Sequence, residues 1–149
     1  MKFVVRLIAT GFYTGYAPKA PGTAGSLLGL FLYWAIPGSE SVYSVAGVVL
    51  FFFAGVWAAN RIEKETNVHD NQIIVIDEIV GMLITVAFFE KSLIWLAVGF
   101  VLFRFFDIIK PYPAKASEKL PHGWGVMIDD VVAGIYSALS LRLIYYFLK

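Results

Sequence analysis

Six charged residues stand where the sequence is otherwise apolar: Asp77 and Glu78 about one turn into one hydrophobic run, Arg104 and Asp107 in the last two turns of another, Asp129 and Asp130 one turn into a third. A charge at the centre of a membrane-spanning helix costs about 2.5 to 3.5 kcal/mol. Near a helix end the cost falls, yet five carboxylates still weigh heavily against a total stability of about 5 to 15 kcal/mol. One embedded arginine cannot neutralise five acids, whereas a divalent cation can. The chain has no cysteine, so its ligands are oxygens and the fitting ion is hard, Mg²⁺ over Zn²⁺. The competing reading makes these acids interfacial helix-start residues, favoured by the N-terminal end of the helix dipole.

Spacing points the acids at one spot. Asp77 precedes Gly81 by four residues and Asp130 precedes Gly134 by four, so each acid shares a helical face with a residue that has no side chain. Two helices can approach closely along such faces. The adjacent pairs Asp77/Glu78 and Asp129/Asp130 diverge by about 100° around a helix, which lets each pair reach around a cation lying between helices.

The elements that must hold these residues are hydrophobic helices. Of the 149 residues, 59% are apolar and 15% charged, against roughly 45 to 50% and about 25% in soluble globular domains. That balance disfavours a nucleic-acid binder, a disordered chain and a secreted disulfide scaffold. It indicates an all-α, polytopic membrane bundle forming one domain over residues 1–149. Five runs approach spanning length: Thr23 to Ile36, Val42 to Ala59, Ile73 to Phe89, Leu93 to Ile109 and Val126 to Leu148. The first, 14 residues, makes a helix of about 21 Å, short of a hydrocarbon core of about 30 Å, so it either spans a thinned bilayer, extends into its flanks or is re-entrant. Met1 to Ala9, interrupted by Arg6, reads as an interfacial helix retained in the mature chain.

With the N-terminus inside and five crossings, the inner segments carry Lys2, Arg6, Lys19, Arg61, Lys64, Lys110, Lys115 and Lys119, and the outer ones only Lys91, Arg142 and Lys149. This asymmetry places the acids toward the cytoplasmic face. Trp34, Tyr43, Trp95, Tyr145 and Tyr146 fall at the outer interface, and Trp57, Tyr112 and Trp124 at the inner one.

Several residues have the chemistry to handle phosphate. Tyr16 to Ser26, YAPKAPGTAGS, sets Lys19, Pro21, Thr23 and Ser26 at the opening of a helix, where free N–H groups form an anion cradle; alternatively it is a helix cap followed by the packing pair Gly25 and Gly29. His122, Gly123 and Gly125 offer a second anion site or a flexible loop. His69 can act as acid or base or stand solvated. Arg104, Asp107 and Lys110 form either a salt-bridge ladder or a phosphate-and-metal group.

Four stretches together resemble phosphatidylglycerophosphatase A, a family of bacterial membrane lipid phosphatases: APGTAGS (20–26), VHDNQIIVIDEIVGM (68–82), GFVLFRFFDIIKPYP (99–113) and HGWGVMIDDVVAG (122–134). The resemblance implies Mg²⁺-dependent removal of the terminal phosphate of phosphatidylglycerophosphate at the cytoplasmic face of the bacterial inner membrane. On that footing Asp77, Glu78, Asp129 and Asp130 are expected to bind Mg²⁺, with Asp107 a further ligand or the activator of water. Lys19, Thr23, Arg104 and Lys110 are expected to hold phosphate oxygens, and His69 or His122 to protonate the leaving oxygen. An aspartyl-phosphate route stays open beside direct attack by water, and oligomeric state is not legible. A transporter is the alternative, but such sites typically lie near the midplane of repeat-related, broken helices, and no repeat is visible. The DG…AR…G…D…D pattern of CDP-alcohol phosphotransferases is missing.

Overall fold

In a computed structural model, residues 2–148 are described; Met1 and Lys149, assigned above to the interfacial helix and to the outer segment, lie outside them. The described residues are helical and contain no strand: α1 (Lys2–Ala9), a 3₁₀ turn (Thr14–Tyr16), α2 (Pro21–Ala35), α3 (Ser44–Thr66), α4 (Ile76–Val86), α5 (Leu93–Ile109), α6 (Ala114–Ser117) and α7 (Gly123–Leu148).

Local chemistry sets the boundaries. Pro21 opens α2, where its missing N–H is no loss, and α2 ends at an extended Ile36, the conformation forced on a residue before proline. Asn67, with φ 54°, terminates α3 in the left-handed conformation that ends many helices. Lys110 does the same for α5 at φ 48°, just before Pro111.

The centre of the bundle is α4, which packs against α2, α3, α5 and α7. It is buried on nearly every side through Ile76, Ile79, Val80, Met82 and Val86. One core cluster joins Ile76, Ile79 and Val80 to Ala59 and Ile62 of α3, Met127 of α7 and Ala9 of α1. A second joins Met82 and Val86 to Tyr33, Leu96 and Phe103. Glycines set the closest approaches. A Cβ at Gly134 would lie 2.6 Å from the Gly81 carbonyl oxygen, and one at Gly29 would lie 3.0 Å from that of Ile79. Gly29 seats α2 on α4, and Gly25 seats it on Val75 just before α4, within this chain.

The expectation of about five hydrophobic spans is met in length and composition by two helices, Ser44–Thr66 and Gly123–Leu148. The shortfall is clearest in α4, of 11 residues and about 16 Å. Its run was expected from Ile73, but Val75 is not helical and its N–H donates to the Ala9 carbonyl at 2.9 Å. At the other end Phe88 turns left-handed at φ 61°. Apolarity alone did not distinguish these non-helical residues from helix. Around the outside, Phe31, Leu50, Val101, Ile108 and Leu139 are all more than half exposed.

Polar residues gather at both ends of the bundle. At one end Lys91 pairs with Glu40 at 3.3 Å and Arg142 donates to the Ala87 carbonyl at 2.6 Å. The acids singled out by sequence occupy the opposite end.

Candidate active site

The first turn of α4 presents Asp77 and Glu78, and the facing part of α7 presents Asp130. The contact between Gly81 and Gly134 brings these helices together one turn further along, so the three side chains converge. One carboxylate oxygen from each of Asp77, Glu78 and Asp130 lies within 4.8 Å of the others. Asp77 and Asp130 are 7% and 2% exposed. Asp77 Oδ1, Glu78 Oε2 and Asp130 Oδ2 are buried without a hydrogen-bond partner. Leaving one buried polar atom unpaired costs about 1 to 3 kcal/mol, and more for a charged one. Three converging hard-oxygen donors in that condition fit a divalent cation.

Charged pairs surround this cluster. Asp129 Oδ2 lies 2.6 Å from Lys110 Nζ, and its Oδ1 accepts the Asp130 N–H at 3.0 Å. Lys110 also reaches Glu118 Oε1 at 2.6 Å. Burial alone would lower the Lys110 pKa, but its hydrogen bonds to Asp129 and Glu118 outweigh that and hold it above the ordinary lysine value. Arg104 Nη1 sits 2.7 Å from Asp107 Oδ2 and 3.4 Å from Ser26 Oγ. Asp129, Lys110, Arg104 and Asp107, with the acid trio and the Ala20–Gly22 start of α2, wall a polar cavity of about 430 Å³. Gly22 leaves room for these side chains: a Cβ there would overlap Glu78 Oε1 and lie 3.2 Å from Arg104 Nη1.

Asp77, Glu78, Arg104, Asp107, Lys110, Asp129 and Asp130 thus share one cavity, with Asp129 turned to Lys110 instead of into the trio. His69 lines an adjoining cavity of about 150 Å³ that shares Asp70 and Asp129 with the first. Lys19 and Thr23 flank the Ala20–Gly22 wall in sequence but do not line either cavity, and neither does His122. His122 is exposed and left-handed at φ 57°. The nearby glycines serve packing: a Cβ at Gly123 would lie 2.9 Å from Asn60 N, and one at Gly125 would lie 2.8 Å from the Leu120 carbonyl oxygen.

Sequence reasoning passed over Glu63, Asp70, Gln72 and Glu118. Glu63 was the most discoverable, since it continues the buried Val56 and Ala59 stripe of α3 at helical spacing.

A family model described as Phosphatidylglycerophosphatase A matches residues 7–145. A Bacteroides thetaiotaomicron protein named "Putative phosphatidylinositol-3-phosphatase" is 43% identical over 95% of this chain and 93% of its own length. Proteins named Phosphatidylglycerophosphatase A are similar as well. That of Haemophilus influenzae is 39% identical over 97% of this chain and 90% of its own. That of Escherichia coli is 41% identical over 93% and 81%. No solved structure matches this chain significantly.

Proposed function

We propose, from the premise that this chain belongs to the phosphatidylglycerophosphatase A family, that it hydrolyses the terminal phosphate monoester of phosphatidylglycerophosphate to phosphatidylglycerol and phosphate. Asp77, Glu78 and Asp130 would hold Mg²⁺ in this reading, with Asp129, paired to Lys110, beside them. The observation that carries it is the convergence of three carboxylates, each of which also has a buried oxygen without a hydrogen-bond partner.

Bound there, Mg²⁺ supplies charge neutralisation and Lewis acidity toward phosphoryl oxygens. The remaining work is positioning, which dominates phosphoryl transfer. Arg104 and Lys110, both on the cavity wall, hold non-bridging oxygens, Arg104 with the planar fork that suits phosphate. The N-terminal turn of α2 adds the positive end of a helix dipole. Asp107, fixed by Arg104, accepts the proton of the attacking water. His69, in the adjoining cavity, returns a proton to the leaving glycerol oxygen.

The apolar exterior and the two long helices support a bundle embedded in the inner membrane, and the Lys/Arg asymmetry supports a site facing the cytoplasm. A lipid phosphomonoester meets the protein at that interface. The test is phosphate release in detergent from phosphatidylglycerophosphate, phosphatidic acid, phosphatidylinositol 3-phosphate and a soluble monoester, each with and without EDTA. Release from phosphatidylglycerophosphate that stops with EDTA is expected. EDTA-resistant release, or none from any lipid, refutes the reading.

A further inference from the structure

We propose that Glu63 is a positioning residue for the reaction, a buried carboxylate on α3 that fixes both the Asp70 backbone and the His69 ring at the edge of the catalytic cavity. The inference deepens the functional reading above and rests on it.

Glu63 is set apart from the charged stretch in which it lies. Arg61, Lys64 and Glu65 are exposed, and Glu65 pairs with Arg6 at 3.2 Å, whereas Glu63 is only 7% exposed. One of its atoms, Oε1, serves two partners: it accepts the Asp70 N–H at 2.9 Å and lies 2.8 Å from His69 Nδ1. The chain reaches this arrangement through two left-handed residues, Asn67 at φ 54° and Asp70 at φ 52°, conformations uncommon for side-chain-bearing residues. They turn the loop after α3 back over the Glu63 carboxylate.

Both tethered residues border the reaction space. Asp70 lines the large polar cavity and the smaller adjoining one, and His69 lines the smaller. A carboxylate at Nδ1 fixes the orientation of the ring and which nitrogen carries hydrogen. The other nitrogen, Nε2, lies 3.4 Å from the carbonyl oxygen of Glu118, a residue that lines the small cavity with His69. Glu63 lines neither cavity itself and acts through Asp70 and His69.

Reach and charge can be separated by substitution in the full-length protein, assayed in detergent with Mg²⁺ and phosphatidylglycerophosphate. Glu63→Gln keeps the acceptor oxygen in place without its charge, whereas Glu63→Asp keeps the charge but withdraws the oxygen by one methylene. Expected are a kcat lowered about 10-fold or more in Glu63→Asp and Glu63→Ala with KM within about 2-fold, and Glu63→Gln within about 3-fold of the parent. Exchange of the Asp70 amide should accelerate about 10-fold or more in Asp and Ala but not in Gln. The double variant Glu63→Ala/His69→Ala should be no slower than His69→Ala alone. Parental kcat in both Asp and Ala overturns the inference, as does a loss in Gln equal to that in Asp. If Glu63→Ala does not fold, the contrast between Gln and Asp decides. A parent that releases no phosphate, or releases it in EDTA, strikes the functional reading instead, and Asp70 amide exchange still reports whether the tether exists.

Discussion

Gly134→Ala tests whether the packing of α4 on α7 sets the geometry of the acids. The added Cβ would stand 2.6 Å from the Gly81 carbonyl oxygen, where ordinary contact begins at 3.4 Å. The partner is backbone, so the helices must separate by about 0.8 Å locally instead of a side chain swinging away. Asp130 lies one turn before Gly134, and Asp77 one turn before Gly81, so the shift is delivered to the carboxylate trio. Mg²⁺ demands near-octahedral geometry with ligands at about 2.0 to 2.1 Å. A displacement of that size is expected to raise the Mg²⁺ concentration for half-maximal phosphate release about 10- to 100-fold and to lower kcat by up to about 100-fold. Overpacking costs about 1 to 3 kcal/mol, offset by up to about 1 kcal/mol of helix propensity, so most of the protein remains folded. Gly47→Ala is the matched control, with nothing within 4 Å of its new Cβ; it should stabilise α3 by about 0.5 to 1 kcal/mol without changing metal dependence. A Gly134→Ala protein with parental Mg²⁺ dependence and parental kcat would show that the helix approach does not set the site.

Glu78→Gln and Asp130→Asn should each abolish Mg²⁺-dependent release, yet raise Tm in EDTA by about 2 to 4 °C, because each removes one charge from three crowded carboxylates, each with a buried oxygen left without a partner; a fall in Tm there would mean that the cluster is not frustrated. Gly22→Ala places a methyl group against Glu78 and Arg104 and should weaken Mg²⁺ activation about 10-fold while leaving Tm within about 2 °C, read from a metal titration beside a melting curve. For Lys110, whose folded pKa is raised by Asp129 and Glu118, the stabilising contribution is complete below the ordinary lysine pKa of about 10.4 and is lost only as pH climbs through the higher folded value. The ammonium therefore stays charged through pH 9, and a pH–rate profile should show no alkaline limb below pH 9 that Lys110→Arg removes.

Local order made part of this site readable. Asp77 with Gly81 and Asp130 with Gly134 repeat at one helical turn, and that register survives into the fold. Asp129 illustrates what the register leaves open. Its neighbour faces the trio, but the partner it meets depends on where α5 ends, and the left-handed Lys110 just before Pro111 brings an ammonium to it. Lys19 and His122 show that closeness in sequence to a cavity wall does not place a side chain on it. The run starting at Ile73 reads as helix because the buried non-helical residues Ile74 and Val75 are as apolar as the helix that follows. Composition sets Glu63 among charged neighbours that face solvent, and only its helical spacing from Val56 and Ala59 marks it as buried.

The cavity wall holds six carboxylates, those of Asp70, Asp77, Glu78, Asp107, Asp129 and Asp130, against the cations Arg104 and Lys110. On the proposed reading, a doubly charged ester meets more acids than cations on this wall, and a cation bound among the acids would lower the repulsion. Association is then expected to be sequential, with the cation bound first and the anionic lipid following. The apparent affinity for lipid should rise with the supply of free cation, and a chelator should empty the protein of substrate as well as halt its turnover.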